Sequence, residues 1–168
     1  MTNYKLDPIF QIRKYLWEKM LEDGIFNIED YYSDNLGQEI VPILPVQQST
    51  ELSHFLSGKK HMVYDKIGMS FEDNWVITCE QVLFTMYSTE VIDIVEMRNY
   101  ISDTFRRMDE SAREINQWDQ DGIFKFHSIF IADISPTAPS EELQGFLSSD
   151  IILEIKYSRN VTPDGRYV

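Results

Sequence analysis

The chain contains one cysteine, Cys79, in 168 residues. That excludes a disulfide within the chain and suits a reducing compartment. Cys79 falls in a strand-like run, where a free thiol behaves as a small hydrophobe. Histidine is almost as scarce. His54, His61 and His127 lie far apart and lack the close ligand spacing of a zinc site. There is no GxGxxG, no Walker lysine loop and no G-x-S-x-G elbow. Basic residues number 15 against 28 acids, a formal net charge of -13. Phosphate contacts need clustered Lys and Arg, so nucleic-acid binding is disfavoured, as is an anionic membrane surface. No uncharged run approaches the roughly 18 residues of a membrane span. Met1 to Pro8 lacks the apolar stretch of a signal peptide. These absences imply a soluble protein made in a cytoplasm. They leave no catalytic, cofactor-binding or metal-binding residue to nominate.

Three short patterns invite chemistry and fail. Asp119-x-Asp121-Gly122 has the start of a calcium loop, but the first ligand position falls on Gln117 and the closing glutamate on Ser128. Pro136-Thr137-Ala138-Pro139 matches a viral budding peptide, yet four residues match easily and a proline-containing loop explains them. Asn160-Val161-Thr162 is a glycosylation sequon only in a secreted protein.

What is present is apolar patterning. Hydrophobic residues make up 43% and aromatics 13%, enough for one folded domain. Asp7-Pro8 opens a helix that runs to Gly24, with Ile9, Ile12, Leu16 and Met20 on one face. Ile25 to Gln38 is irregular, with room for one short helix. Ile40 to Val46 has strand composition but carries Pro42 and Pro45, so it is an edge strand or an extended arm. A helical turn is expected over Thr50–Leu56. His61–Phe71 and the run from Asn74 to Tyr87 form a hairpin turning at Glu72-Asp73. The second strand is apolar on both faces, with Trp75, Ile77, Cys79 and Leu83 opposite Val76, Val82, Phe84 and Met86. Such a strand is central or covered by a partner.

From Ser88 or Thr89 one amphipathic helix is expected, its stripe running Val91, Ile94, Ile101, Phe105, Met108, Ala112, Ile115. Arg106 and Glu110 are spaced to pair along it. Strands follow at Phe124–Ile134 and Ile151–Tyr157, separated by a loop with a possible helical turn over Ser140–Leu143. The order predicts an α+β fold, a mostly antiparallel sheet with helices packed on one face. Residues 1–158 form a single domain and 159–168 a tail.

Asn74-Trp75-Val76-Ile77, Glu80-Gln81-Val82, Phe84-Thr85 and Tyr87-Ser88 form an ordered set. It continues through Phe105-Arg106-Arg107-Met108-Asp109-Glu110-Ser111-Ala112, Trp118, Phe124-Lys125-Phe126-His127 and Ile155-Lys156-Tyr157-Ser158-Arg159. The set resembles the tail terminator family of contractile-tailed bacteriophages, also described as tail completion or sheath-stabilising proteins. The resemblance spans about His61 to Arg159. It implies a non-enzymatic virion subunit, assembled in the host cytoplasm. Copies form a ring, commonly a hexamer, at the head-proximal end of the tail. Tail tube, sheath and neck or connector proteins are the implied partners, and DNA is passing cargo only. A tube grows by heterologous contacts, so a ring offering one complementary face ends it. An acidic channel would let DNA slide. Trp75, Phe84, Phe105, Arg106, Arg107 and Asp109 are the candidate fold and assembly residues. The Pro42/Pro45 segment and the tail from Arg159 are candidate assembly arms. Two other readings stand beside this one: an acidic DNA mimic that occupies a DNA-binding protein, and a small enzyme using a desolvated carboxylate in a pocket.

Overall fold

The computed structural model describes residues 7–72, 76–119 and 122–159. Helix α1 spans Pro8–Glu22, and a 3-10 turn, Ile28–Tyr31, leads to a small ladder of β1 (Tyr32–Ser33) and β2 (Gln38–Glu39). Strand β3 (Ile43–Pro45), helix α2 (Val46–Glu51) and the hairpin strands β4 (His61–Glu72) and β5 (Ile77–Ser88) follow. Helices α3 (Val91–Phe105) and α4 (Asp109–Trp118) precede β6 (Phe124–Ile134), β7 (Ala138–Pro139) and β8 (Leu147–Arg159). The main sheet has the order β3-β4-β5-β8-β6, with β7 also paired to β8. Every pairing is antiparallel except β3 with β4. The architecture is therefore α+β with a mostly antiparallel mixed sheet, as the pattern of elements predicts. No helix among the described residues is long and apolar enough to cross a membrane.

Alternation along β5 divides the sheet into two faces. Val82, Phe84 and Met86 pair in register with Leu153, Ile151 and Ser149 of β8. They share one core with Ile9, Ile12 and Leu16 of α1, with Ile94, Met97, Ile101 and Phe105 of α3, and with Ala112 and Ile115 of α4. The doubly apolar strand is thus central, as expected. Phe84 and Phe105 are fully buried inside the chain and act through the fold. Helix α1 begins as Asp7 dictates: its carboxylate accepts from the Ile9 amide at 3.0 Å, and Pro8 fills the first helical turn. Gly24 closes it with φ 75°. Tyr15 meets Trp118 edge-on at 5.3 Å, and Trp118 Nε1 donates to Glu18, tying α1 to α4.

Five local expectations are revised or narrowed. The single long helix is two, broken at Met108, whose backbone sits at φ 39°. The break lets Ala112 and Ile115 turn back onto β6, while Val91 and Met108 of the predicted stripe are exposed. With the helix broken, Arg106 pairs with Asp103 at 3.9 Å rather than with Glu110, and Glu110 pairs with Arg107 at 3.1 Å. The Pro42/Pro45 segment is an edge strand and not a loose arm: Ile43 and Leu44 are fully buried on opposite faces. Helix α2 begins at Val46, four residues before the expected turn, because Pro45 ends the strand there. No helical turn forms over Ser140–Leu143. Ser140 Oγ instead accepts from the Leu143 amide, and Ala138-Pro139 pairs with β8.

A side chain at positive φ is strained by about 1–3 kcal/mol. Met108→Gly is expected to leave stability unchanged or higher in urea unfolding, and Met108→Val to lower it by about 1–2 kcal/mol. Phe105→Ala, which empties the core under the same corner, is expected to cost about 3–5 kcal/mol.

Candidate assembly surfaces

The β4–β5 hairpin is longer than the body that supports it. Near its base, Met62 and Tyr64 face the helices and belong to the core. Between Lys66 and Gly68 the register slips by one residue, leaving Ile67 as a bulge. The slip changes which residues share a face. Val63 pairs with Thr85 on the side away from the helices, whereas Met69 and Phe71 pair with Glu80 and Thr78 on the helix side. Sequence alternation alone puts Val63, Met69 and Phe71 together; the bulge separates them. Beyond it the helix layer has ended. Ile67, Met69, Phe71 and Val76 are all about half exposed, at 48%, 55%, 45% and 58%. β3 covers the outer edge of β4 only from Met62 to Tyr64, so from Asp65 to Glu72 that edge has no strand partner among the described residues. Trp75, nominated from the sequence, lies outside the described residues.

A buried carboxylate anchors the base of the hairpin. Glu80 is 1% exposed, and its Oε1 accepts from the Tyr157 hydroxyl. Lys66 Nζ lies 3.9 Å from Glu80 Oε2 and 3.2 Å from Asp7 at the start of α1. Oε2 has no hydrogen-bond partner among the described residues. Burial, and then the bond to Glu80, push the Tyr157 hydroxyl far above its ordinary value, so it stays a donor. A carboxylate left in this site needs its cation, which makes Lys66 part of the same unit.

On the sheet face away from α1, α3 and α4 lies a groove of about 500 Å³. Its floor is His61, Val63, Leu83, Thr85 and Tyr87 from β4 and β5. One wall is α2 with the turn after it, through Val46, Thr50 and Leu56. The other is the β7–β8 loop, through Glu142, Leu143 and Phe146. The rings of His61 and Tyr87 stack at 5.2 Å, and Phe146 meets both edge-on at 5.7 and 6.3 Å. Tyr87 donates to Glu142 at 3.0 Å. Glu80 does not line this groove, so the buried carboxylate and the cavity are separate features.

Arg106, Arg107 and Asp109 lie together at the exposed α3–α4 corner. Arg107 bridges Glu110 at 3.1 Å and Glu114 at 3.3 Å, an exposed cluster worth little to stability by itself. The three histidines do not meet: His127 Nε2 lies 2.9 Å from Ser158 Oγ, and no group of metal-ligating residues occurs among the described residues. The sequence reading missed the groove. Its only linear sign was a histidine and a tyrosine at the base of a hairpin, which pair His61 with Tyr87. The chain matches no family model and no curated protein.

Burial lowers the His61 imidazole below its ordinary value of 6.5, only partly offset by its 2.8 Å bond to the Lys59 carbonyl. The unfolded chain therefore takes up this proton at a higher pH than the folded one. The contribution is intact above about 6.5 and is lost as pH falls toward the folded value. Urea unfolding at neutral and mildly acid pH is expected to show that loss in the parent and a shallower one in His61→Phe. An equal slope in both would remove His61 from the account.

Proposed function

We propose that this chain is a structural ring subunit of a contractile phage tail. It sits at the head-proximal end, ends tube and sheath growth and offers a surface to the neck. The observation that carries the reading is the distal hairpin. A β4 edge with no strand partner among the described residues, beside the half-exposed Ile67, Met69 and Val76, is costly to leave in water and suits burial against another copy or another tail protein. The sequence resemblance supports the same reading. Its segments fall on β5, on the α3–α4 corner, and on β6 and β8, which are neighbours in the fold. The net charge of -13 is compatible with a channel through which DNA passes without binding.

Tail terminators act by contact, so the test is assembly. Negative-stain microscopy with mass photometry of the purified protein is expected to show rings of one symmetry, six-fold by the resemblance. Ile67→Lys with Met69→Lys is expected to abolish the rings while leaving the melting temperature near that of the parent, because both side chains are exposed. A parent that stays monomeric at every concentration, alone and with tail tube or sheath protein, would overturn the proposal.

A further inference from the structure

We propose that the groove on the open face is the seat for residues 160–168 of a second copy of this chain. Arg166 would lie between Asp65 and Glu142, and Tyr167 against the His61–Tyr87–Phe146 wall. This deepens the assembly reading by naming one self-contact, and it rests on that reading.

The groove is built to receive something of this chemistry. Its floor and walls are aromatic and aliphatic, while Asp65 and Glu142 stand at its rim. Neither carboxylate has a cationic partner among the described residues. His61 is 2% exposed, and its Nδ1–H donates to the Lys59 carbonyl. That fixes the neutral tautomer with Nε2 as an acceptor. The hydrogen bond of His61 among the described residues is made through Nδ1, and His61 lines the cavity. An acceptor open to the cavity, in an aromatic wall with two carboxylates at its rim, fits a phenol and a guanidinium side by side. The sequence holds that pair next to one another at Arg166-Tyr167.

Reach assigns the segment to another copy. The last described residue, Arg159, lies at the hairpin-tip end of β8, two residues beyond Tyr157, which pairs with Thr78. The groove is at the other end, where Thr85 pairs with Asp150 and Tyr87 with Ser148. That is about ten residues back along β8, or roughly 33 Å. Arg166 stands only seven residues past Arg159, at most about 25 Å when fully extended. The segment would also have to reverse direction, so a copy cannot fill its own groove. The other basic segment outside the described residues, at Lys5, adjoins Asp7, which pairs with Lys66 on the helix side of the sheet.

Charge reversal in the full chain tests this. Arg166→Glu is expected to weaken self-association about tenfold or more by sedimentation. Glu142→Arg should do the same, and the double variant should recover most of the loss. No loss in either single variant, or no recovery in the double, overturns the proposal. Thr50→Cys with Tyr167→Cys, oxidised mildly, reads the occupant directly. Cross-linked multimers on a non-reducing gel support a second copy. A cross-link within the monomer shows the chain's own tail, and no cross-link shows another occupant; both overturn it. Rings that form normally without the cross-link sink only this contact. Loss of all association in the parent sinks the ring reading itself.

Discussion

The helix layer covers only part of the sheet, and the rest of the molecule follows from where that cover stops. Helices α1, α3 and α4 bury one face of β5 from Val82 to Met86. Toward the hairpin tip no third layer occurs among the described residues, and the strands continue on their own ladder hydrogen bonds. The transition falls at Lys66, Glu80 and Tyr157. A charged pair and a hydroxyl there take the place of the hydrocarbon contacts that fill the interior beneath the helices. Polar groups in that position mark the seam between an interior closed within one chain and a surface that is not. The seam also explains why one strand can be core at His61–Tyr64 and solvent-facing from Asp65 onward.

Much of the fold is legible in the sequence because it is written in periods. The cap at Asp7, the stop at Gly24, the hairpin and the strands β6 and β8 each carry a local signal strong enough to survive packing. The errors come where the chain departs from a period by one residue or one dihedral angle. Ile67 adds a residue to β4 and reassigns the faces beyond it, which alternation cannot reveal. Met108 adopts a backbone conformation normally left to glycine, so nothing in the residue type marks the end of α3. The groove was illegible for another reason. Its parts come from α2, β4, β5 and the β7–β8 loop, segments from Val46 to Phe146 that only the sheet order brings together.

Acidity is distributed unevenly in its role. Several carboxylates are committed within the fold: Asp7 caps α1, Glu39 receives Trp17 and Asp150 receives Thr85. Glu72 and Glu154 engage Lys156 and Cys79 on the open face of the sheet. These leave the overall negative charge as a property of the exterior, where it favours solubility over indiscriminate association.

The outer edge of β4 beyond Tyr64, which has no strand partner among the described residues, is interrupted rather than smooth. The bulge at Ile67 bends it, and Asp65, Lys66 and Glu72 place charges at both ends of the apolar run. A long flat strand cannot lie along the whole of Asp65–Glu72, because its ladder would fall out of step at the kink. Any strand that adds here is therefore confined to the few residues between Gly68 and Glu72, or must bring an irregularity of its own. Under the proposed assembly, such an edge would select its partner strand, and its kink guards the chain against the open-ended stacking that a regular edge invites.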